Sequence, residues 1–271
     1  YYSDANIITQ TEYELIFEQI SRDESIPQTL RLQYATLLLL GYRFGLRFGE
    51  AWRLQYRDIQ YENDLETVCL YIRDTVFGEV KTPAAIRLVP LLERLTDIEK
   101  SVLRGLFQDC EKHFETDQLV AIMAESSSRT LIDRSMAARY LNNLLRHFTG
   151  DRKIRFHHLR HSWVTRMIGG LFLDRTEIHN ERLSREFLSE NINDENMSEF
   201  LGDGLIQYPL RSISMATGHV RESTTVTSYC HCIDAIAGKR VSAQSPILPD
   251  FAQAYCLQTA SATIRRRRSR S

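Results

Sequence analysis

A chain of 271 residues, 43% of them hydrophobic and 25% charged, is long enough to bury a sizeable core as one large domain or one and a half ordinary ones. No apolar run approaches the ~20 residues that span a bilayer; the longest aliphatic cluster is Leu37 to Leu40, and Tyr1-Tyr2-Ser3-Asp4 opens the chain without a secretory signal. A net charge of −1 argues against a polyanionic partner until it is divided: residues 171–207 hold nine acidic residues and three arginines (−6), leaving 31 basic and 26 acidic residues (+5) elsewhere.

In chain order, Thr11 to Ser21 places Tyr13, Ile16, Phe17 and Ile20 at helical spacing and ends before Pro27. Leu30 to Phe44 predicts a strongly apolar helix stopped at Gly45, and Phe48 to Leu54 a short helix after the turn. Glu66 to Ile72 and Ile86 to Val89 are rich in β-branched and aromatic residues, with Gly78 and Pro83 between them, and predict a small antiparallel sheet of two or three strands. Helices follow near 95–115, 134–148 and 157–169. The acidic stretch 171–207 reads as a helix plus a polar loop, then helices near 208–217 and 222–229 and a C-terminal segment broken at Pro246 and Pro249. The expected fold is mixed α/β, mainly α-helical with a small antiparallel β-sheet. The chain begins without Met, which points to a fragment or a processed product, and its five scattered cysteines read as reduced thiols of an intracellular protein.

Four segments carry chemistry, and their order matters more than any one of them. They are Gly45-Leu46-Arg47-Phe48-Gly49-Glu50; Val80-Lys81-Thr82 with Arg87-Leu88-Val89-Pro90-Leu91; Phe156-His157-His158-Leu159-Arg160-His161-Ser162; and Thr217-Gly218-His219 with Thr224-Thr225 and Tyr229, ten residues beyond His219. A phosphodiester under attack gathers negative charge on its non-bridging oxygens, and paired guanidiniums clamp such oxygens while staying charged at any working pH. His157 and Arg160, three apart, share one face of a helix.

From about Leu37 to Tyr229 the set resembles the catalytic domain of the lambda-integrase-type tyrosine recombinases: an Arg in a Gly-x-Arg-x-x-Glu turn, a hairpin Lys, His-x-x-Arg on a helix, and Gly-His before a Tyr. The resemblance implies strand cleavage and rejoining through a 3′-phosphotyrosine, without ATP, metal or other cofactor. It makes Arg47 and Arg160 the phosphate clamp and Tyr229 the nucleophile. Lys81 becomes the general acid for the departing 5′-oxygen, and His157 and His219 proton-carrying phosphate contacts. Glu50 and His161 are expected as supports behind them. A core or capping role is the structural alternative for His157 or His158, and His158 is the less suited of the two to touch substrate.

The implied partner is double-stranded DNA, with self-association on it as a tetrameric synapse, in the cytoplasm or nucleoid, or in the nucleus of a eukaryote, and with no membrane. A type IB topoisomerase shares this chemistry; the short Gly-His to Tyr interval and His-x-x-Arg-His favour a recombinase. A DNA-binding module that has lost catalysis is the other alternative, against which the intact residue set argues. Zinc is disfavoured although His157 and His161 stand four apart and Cys230, His231 and Cys232 cluster, because the Glu of a metalloprotease helix is missing.

Three features depart from the family pattern. The interval from Arg47 to Lys81 is longer than usual. Arg47 lies so near the start that the N-terminal DNA-clamping domain is expected to be absent or removed. Residues 171–207 look like an acidic insertion, read as a solvated excursion or, functionally, as a protomer contact or DNA mimic. The expected layout is a catalytic domain over 1–240 and a C-terminal segment over 241–271, whose arginines 265–268 and 270 suit phosphate contact, nuclear import or disorder equally well.

Overall fold

The computed structural model describes residues 7–114, 119–125, 130–172, 192, 196, 197, 200, 209–219, 223 and 225. Its elements are α1 (Gln10–Arg22), α2 (Gln28–Arg43), α3 (Phe48–Trp52), β1 (Ile59–Tyr61), β2 (Val68–Ile72), β3 (Arg87–Pro90), α4 (Asp97–Phe114), α5 (Arg134–Thr149), α6 (His157–Phe172) and α7 (Pro209–Ala216). The architecture is the mainly helical one that the sequence predicts, with one antiparallel sheet in the order β1-β2-β3. Ile59 faces Leu70, and Leu70 faces Val89 on the other side, so one apolar row crosses the sheet toward the core.

Local signals set most boundaries. Thr9 caps α1: its hydroxyl accepts from the Glu12 amide at 3.2 Å, and Glu12 Oε2 accepts from the Thr9 amide at 2.8 Å, a reciprocal capping box. Asp133 caps α5 through the Met136 amide, and Gly150 ends it at φ 65°. α1 and α5 are amphipathic and pack on α2.

The centre is different. In α2 every residue from Gln33 to Arg43 is buried, and in α6 every residue from His158 to Gly169. A helix apolar on all sides belongs in the interior, yet each of these carries buried arginines, and those require partners. Arg43 Nε donates to Glu99 Oε1 at 2.8 Å. Arg166 donates through Nε and Nη2 to Glu93 at 2.9 and 2.8 Å, and through Nη2 to the Tyr42 carbonyl at 2.6 Å. Arg43 Nη1 lies 3.6 Å from Glu93, and Tyr13 donates its hydroxyl to Glu99 at 2.5 Å. Tyr42 stacks on Tyr13 at 3.9 Å between centroids, and the Arg166 guanidinium sits 3.7 Å from the Tyr42 ring centre. Two arginines and two glutamates thus form a neutral cluster without solvent. Burial first, and then Glu99, push the Tyr13 phenol well above its ordinary range.

A second apolar cluster, with Leu92, Trp163, Val164, Met167, Ile168 and Ile213, joins α6 to α7. Met197 belongs to it, and Ile192 and Phe200 pack against it. Asn196 Nδ2 donates to the Glu66 and Leu91 carbonyls, both at 3.0 Å. These residues of the acidic stretch therefore rest on the body of the fold rather than in solvent, because the stretch contains apolar anchors among its charges. Most of 171–207 lies outside the described residues, as do most of the helix expected over 222–229 and all of 241–271.

Candidate active site

The site grows from a turn, a helix start and a second turn. Gly45 takes φ +63°, and a Cβ there would meet the Trp163 ring at 2.8 Å, so both the left-handed backbone and the close approach require glycine. This turn sets Arg47 at the N-cap of α3, where Glu50 Oε2 accepts from its amide at 2.9 Å and Glu50 Oε1 from its Nη1 at 2.8 Å. The Arg47 side chain is 30% exposed, whereas that of Glu50 is 4% exposed.

α6 begins with its histidines. His158 Nδ1 accepts from the Arg155 amide at 3.0 Å, so His158 caps the helix, one of the two structural roles expected for it. His157, His158 and His161 pack ring against ring, with His157 and His161 centroids 5.0 Å apart. Arg160, one turn in, is 0% exposed. Its Nη1 donates to the Gly45 carbonyl at 2.9 Å and its Nη2 to the Thr217 carbonyl, and Nη2 lies 3.2 Å from His219 Nε2.

The second turn follows α7. Gly218 has φ +66°, and a Cβ would come within 3.2 Å of the Ala84 carbonyl and Ala85 Cα. His219 then returns toward α6, and its tautomer follows from its partners. Arginine can only donate, so Nε2, facing Arg160, must accept. The proton of the neutral ring then sits on Nδ1, 2.9 Å from Thr225 Oγ1 and 3.1 Å from Thr217 Oγ1. Ser214 Oγ, 2.9 Å from Thr225 Oγ1, extends this hydroxyl chain.

The electrostatics agree with these positions. Desolvation, then Arg160, Arg47 and Arg87, lower the His219 pKa to about 3. Desolvation, then Arg160, His158 and Arg47, lower that of His157 to about 4, although one side of the residue is open. Burial alone would raise the Glu50 pKa, but Arg87, with help from Arg160 and Arg47, overrides it and brings the group to about 2. At neutral pH the site holds neutral imidazoles at His157 and His219, an anionic Glu50 and cationic arginines.

The sequence-predicted residues Arg47, Glu50, His157, Arg160, His161 and His219 therefore belong to one neighbourhood. Lys81 is exposed on the segment between β2 and β3, and none of the described contacts joins it to the cluster. Tyr229 lies outside the described residues, as do Cys230, His231 and Cys232. Among the described residues no group of three or more His, Cys, Asp or Glu side chains is arranged to hold a metal ion, and no helix is long and apolar enough to cross a membrane. Arg87, which follows the Lys81 segment, has no counterpart among the expected site residues. It is 8% exposed, and it donates to both Glu50 oxygens, at 3.2 and 3.0 Å, and to the Ala85 and Ala216 carbonyls, at 2.8 and 2.6 Å. Its signal was available: it shares strand parity with inward Val89, opposite exposed Leu88.

A mainly helical domain with a cationic, histidine-bearing site built on two glycine turns defines a class, and comparison with known proteins gives the family. The Phage integrase family model matches residues 6–171, and the chain belongs to this family, that of the tyrosine recombinases. The match stops before His219 and Tyr229. Among solved structures, the chain is similar to XerA recombinase, at 16% identity over 91% of this chain and 67% of that one, with a TM-score of 0.52. It is also similar to the XerH site-specific recombinase bound to palindromic difH substrate in a post-cleavage complex, at 16% identity over 83% of this chain and 49% of that one, with a TM-score of 0.51. A pre-cleavage complex of XerH gives 17% identity over 81% and 48%, with a TM-score of 0.50. This chain thus spans about half the length of the XerH chain, and at these identities the likeness is one of fold. No curated protein sequence matches the chain.

Proposed function

We propose that this chain is the catalytic domain of a site-specific DNA recombinase or integrase that cleaves and rejoins double-stranded DNA through a covalent 3′-phosphotyrosine at Tyr229. One observation supports the reading above others. Arg47, His157, Arg160 and His219 come from three distant segments and meet in one neighbourhood, where Glu50 holds Arg47, the Gly45 and Thr217 carbonyls hold Arg160, Arg160 faces the His219 ring and His157 packs on His161.

Arg47, the more open guanidinium, meets the scissile phosphate first, with donors beyond the one given to Glu50. Arg160 supplies positive charge from behind, in a site where low local polarity strengthens it. A phosphate oxygen arriving between Arg160 and His219 offers Arg160 a better acceptor than an imidazole nitrogen. It also favours a proton on His219 Nε2, which can then donate to the transition state. His157 makes the second imidazole contact. Tyr229 is the nucleophile; its phenolate, costly in water, forms beside these cations. Lys81, exposed on the segment before β3, protonates the leaving 5′-oxygen. The reaction draws on phosphotyrosine energy alone, with no cofactor. On DNA the protein self-associates as a tetrameric synapse.

A nicked suicide substrate, on which the cleaved end diffuses away, tests this. Wild type is expected to accumulate a covalent complex whose adduct maps to Tyr229, and Tyr229→Phe to form none. A covalent complex with Tyr229→Phe refutes the proposal. Relaxation of a supercoiled plasmid lacking paired sites would move the assignment to a topoisomerase.

A further inference from the structure

We infer that Arg87 is a positioning residue for the strand cleavage proposed above, holding three motif-bearing segments in register and keeping the phosphate clamp cationic. The inference rests on that reading. β3 alternation sends Arg87 inward with Val89 while Leu88 stays 58% exposed. The guanidinium then meets three segments at once. Its Nη1 and Nη2 hold Glu50, the carboxylate that grips both the amide and Nη1 of Arg47. Its Nη1 also donates to the carbonyl of Ala85, four residues after Lys81, in the turn that leads into β3. Its Nε donates to the Ala216 carbonyl, next to Thr217, whose own carbonyl accepts from Arg160, and two residues before the tight turn at Gly218. Arg47 is thus one hydrogen bond from a group that Arg87 holds, and Arg160 is bonded to the carbonyl next to another.

Charge gives Arg87 a second effect. Glu50 is buried among Arg47, Arg87 and Arg160. With Arg87 compensating Glu50, Arg47 and Arg160 offer two uncompensated positive charges to a phosphate. Without Arg87, Glu50 cancels one of them, that of Arg47, which it already contacts at 2.8 Å. Arg87 itself is interior, so its removal is expected to act on the cleavage step rather than on DNA capture. Lysine keeps the charge, but as a compact ammonium it cannot span Glu50 and both carbonyls.

The test measures single-turnover cleavage of the nicked substrate at saturating DNA, equilibrium DNA affinity, and folding by circular dichroism, for wild type, Arg87→Met, Arg87→Lys, Glu50→Gln and the Arg87→Met/Glu50→Gln pair. Arg87→Met is expected to cleave on the order of 10²-fold more slowly, the scale of a misplaced site, while DNA affinity changes less than about 3-fold. Its rate is also expected to gain an acid limb in the ordinary carboxylate range, where the released Glu50 titrates; wild type lacks this limb. The double variant is expected to be no slower than Arg87→Met, because both changes interrupt one linkage. Arg87→Lys, which retains the charge if the methionine variant fails to fold, is expected to fall between the two with unchanged affinity. Wild-type cleavage rates in a folded Arg87→Lys or Arg87→Met protein, or lower melting temperature with no change in the rate of the folded fraction, overturn the inference. If wild type forms no covalent complex at all, the recombinase reading falls and the inference with it. If wild type reacts and the Arg87 variants match it, only the inference falls.

Discussion

Replacing Glu93 by glutamine removes one charge from the buried cluster between α2 and α6 and leaves the others in place. Glu93 is 0% exposed and accepts two hydrogen bonds from Arg166, with Arg43 Nη1 at 3.6 Å. In the native cluster Arg43 and Arg166 balance Glu93 and Glu99. The glutamine keeps one acceptor oxygen but turns the other position into a donor facing a guanidinium, and leaves a net positive charge without water. Breaking a buried pair from one side costs about 3–5 kcal/mol. At about 2–4 °C per kcal/mol for a domain near this size, the melting temperature should fall by roughly 6–20 °C. Thermal melts followed by near-ultraviolet circular dichroism, with urea titration as a check, measure it. Since no solvent reaches the cluster, the deficit is expected to persist in high salt. A loss of less than about 1 kcal/mol would show that the arginines are compensated by something other than Glu93 and would refute the reasoning.

Gly45→Ala combines a left-handed backbone with a 2.8 Å approach to the Trp163 ring; with about 1–2 kcal/mol for the first and about 1–3 for the second, urea titration should show a loss of about 2–5 kcal/mol. The pH dependence of stability should show two windows. Glu50, lowered from 4.5 to about 2, contributes about 3 kcal/mol that is fully present above pH 4.5 and lost as pH falls toward 2, and melts of Glu50→Gln should lack this component. His157, lowered from 6.5 to about 4, binds fewer protons folded than unfolded between those values, so acidification through that window destabilises wild type and His157→Gln should flatten the slope. Thr225→Val removes the hydroxyl that receives the His219 Nδ1 proton, and ¹⁵N chemical shifts of the imidazole should report a larger share of the Nε2–H tautomer than in wild type.

Much of the scaffold was legible because its helices have either one apolar face or none that is polar. Tyr13, Ile16, Phe17 and Ile20 mark α1 by spacing, and the unbroken run through Leu40 marks α2 as interior. β1 was not distinguishable as its own strand, since Ile59–Tyr61 is too short for alternation to register. The motif turns at Gly45 and Gly218 were readable, as were the residues they present, because glycine and histidine there have few other uses. The charge cluster was not. Nothing in the local sequence pairs Arg43 or Arg166 with Glu93 or Glu99, and only tertiary packing of α1, α2, α4 and α6 shows that they neutralise one another. Arg87 was missed for a related reason: a strand arginine looks solvent-facing until the parity of Val89 is taken into account.

The absence of an open side on α6 between His158 and Gly169 bears on how such a protein can change over time. Each substitution there disturbs the core cluster at Arg166, the clamp at Arg160 or the apolar packing between them, and most substitutions in such positions are destabilising. Variation, whether arising by drift or introduced in the laboratory, is therefore channelled away from this helix. It is expected to fall instead on the exposed faces of α4 and α5, where sequence can diverge without disturbing the fold or the clamp.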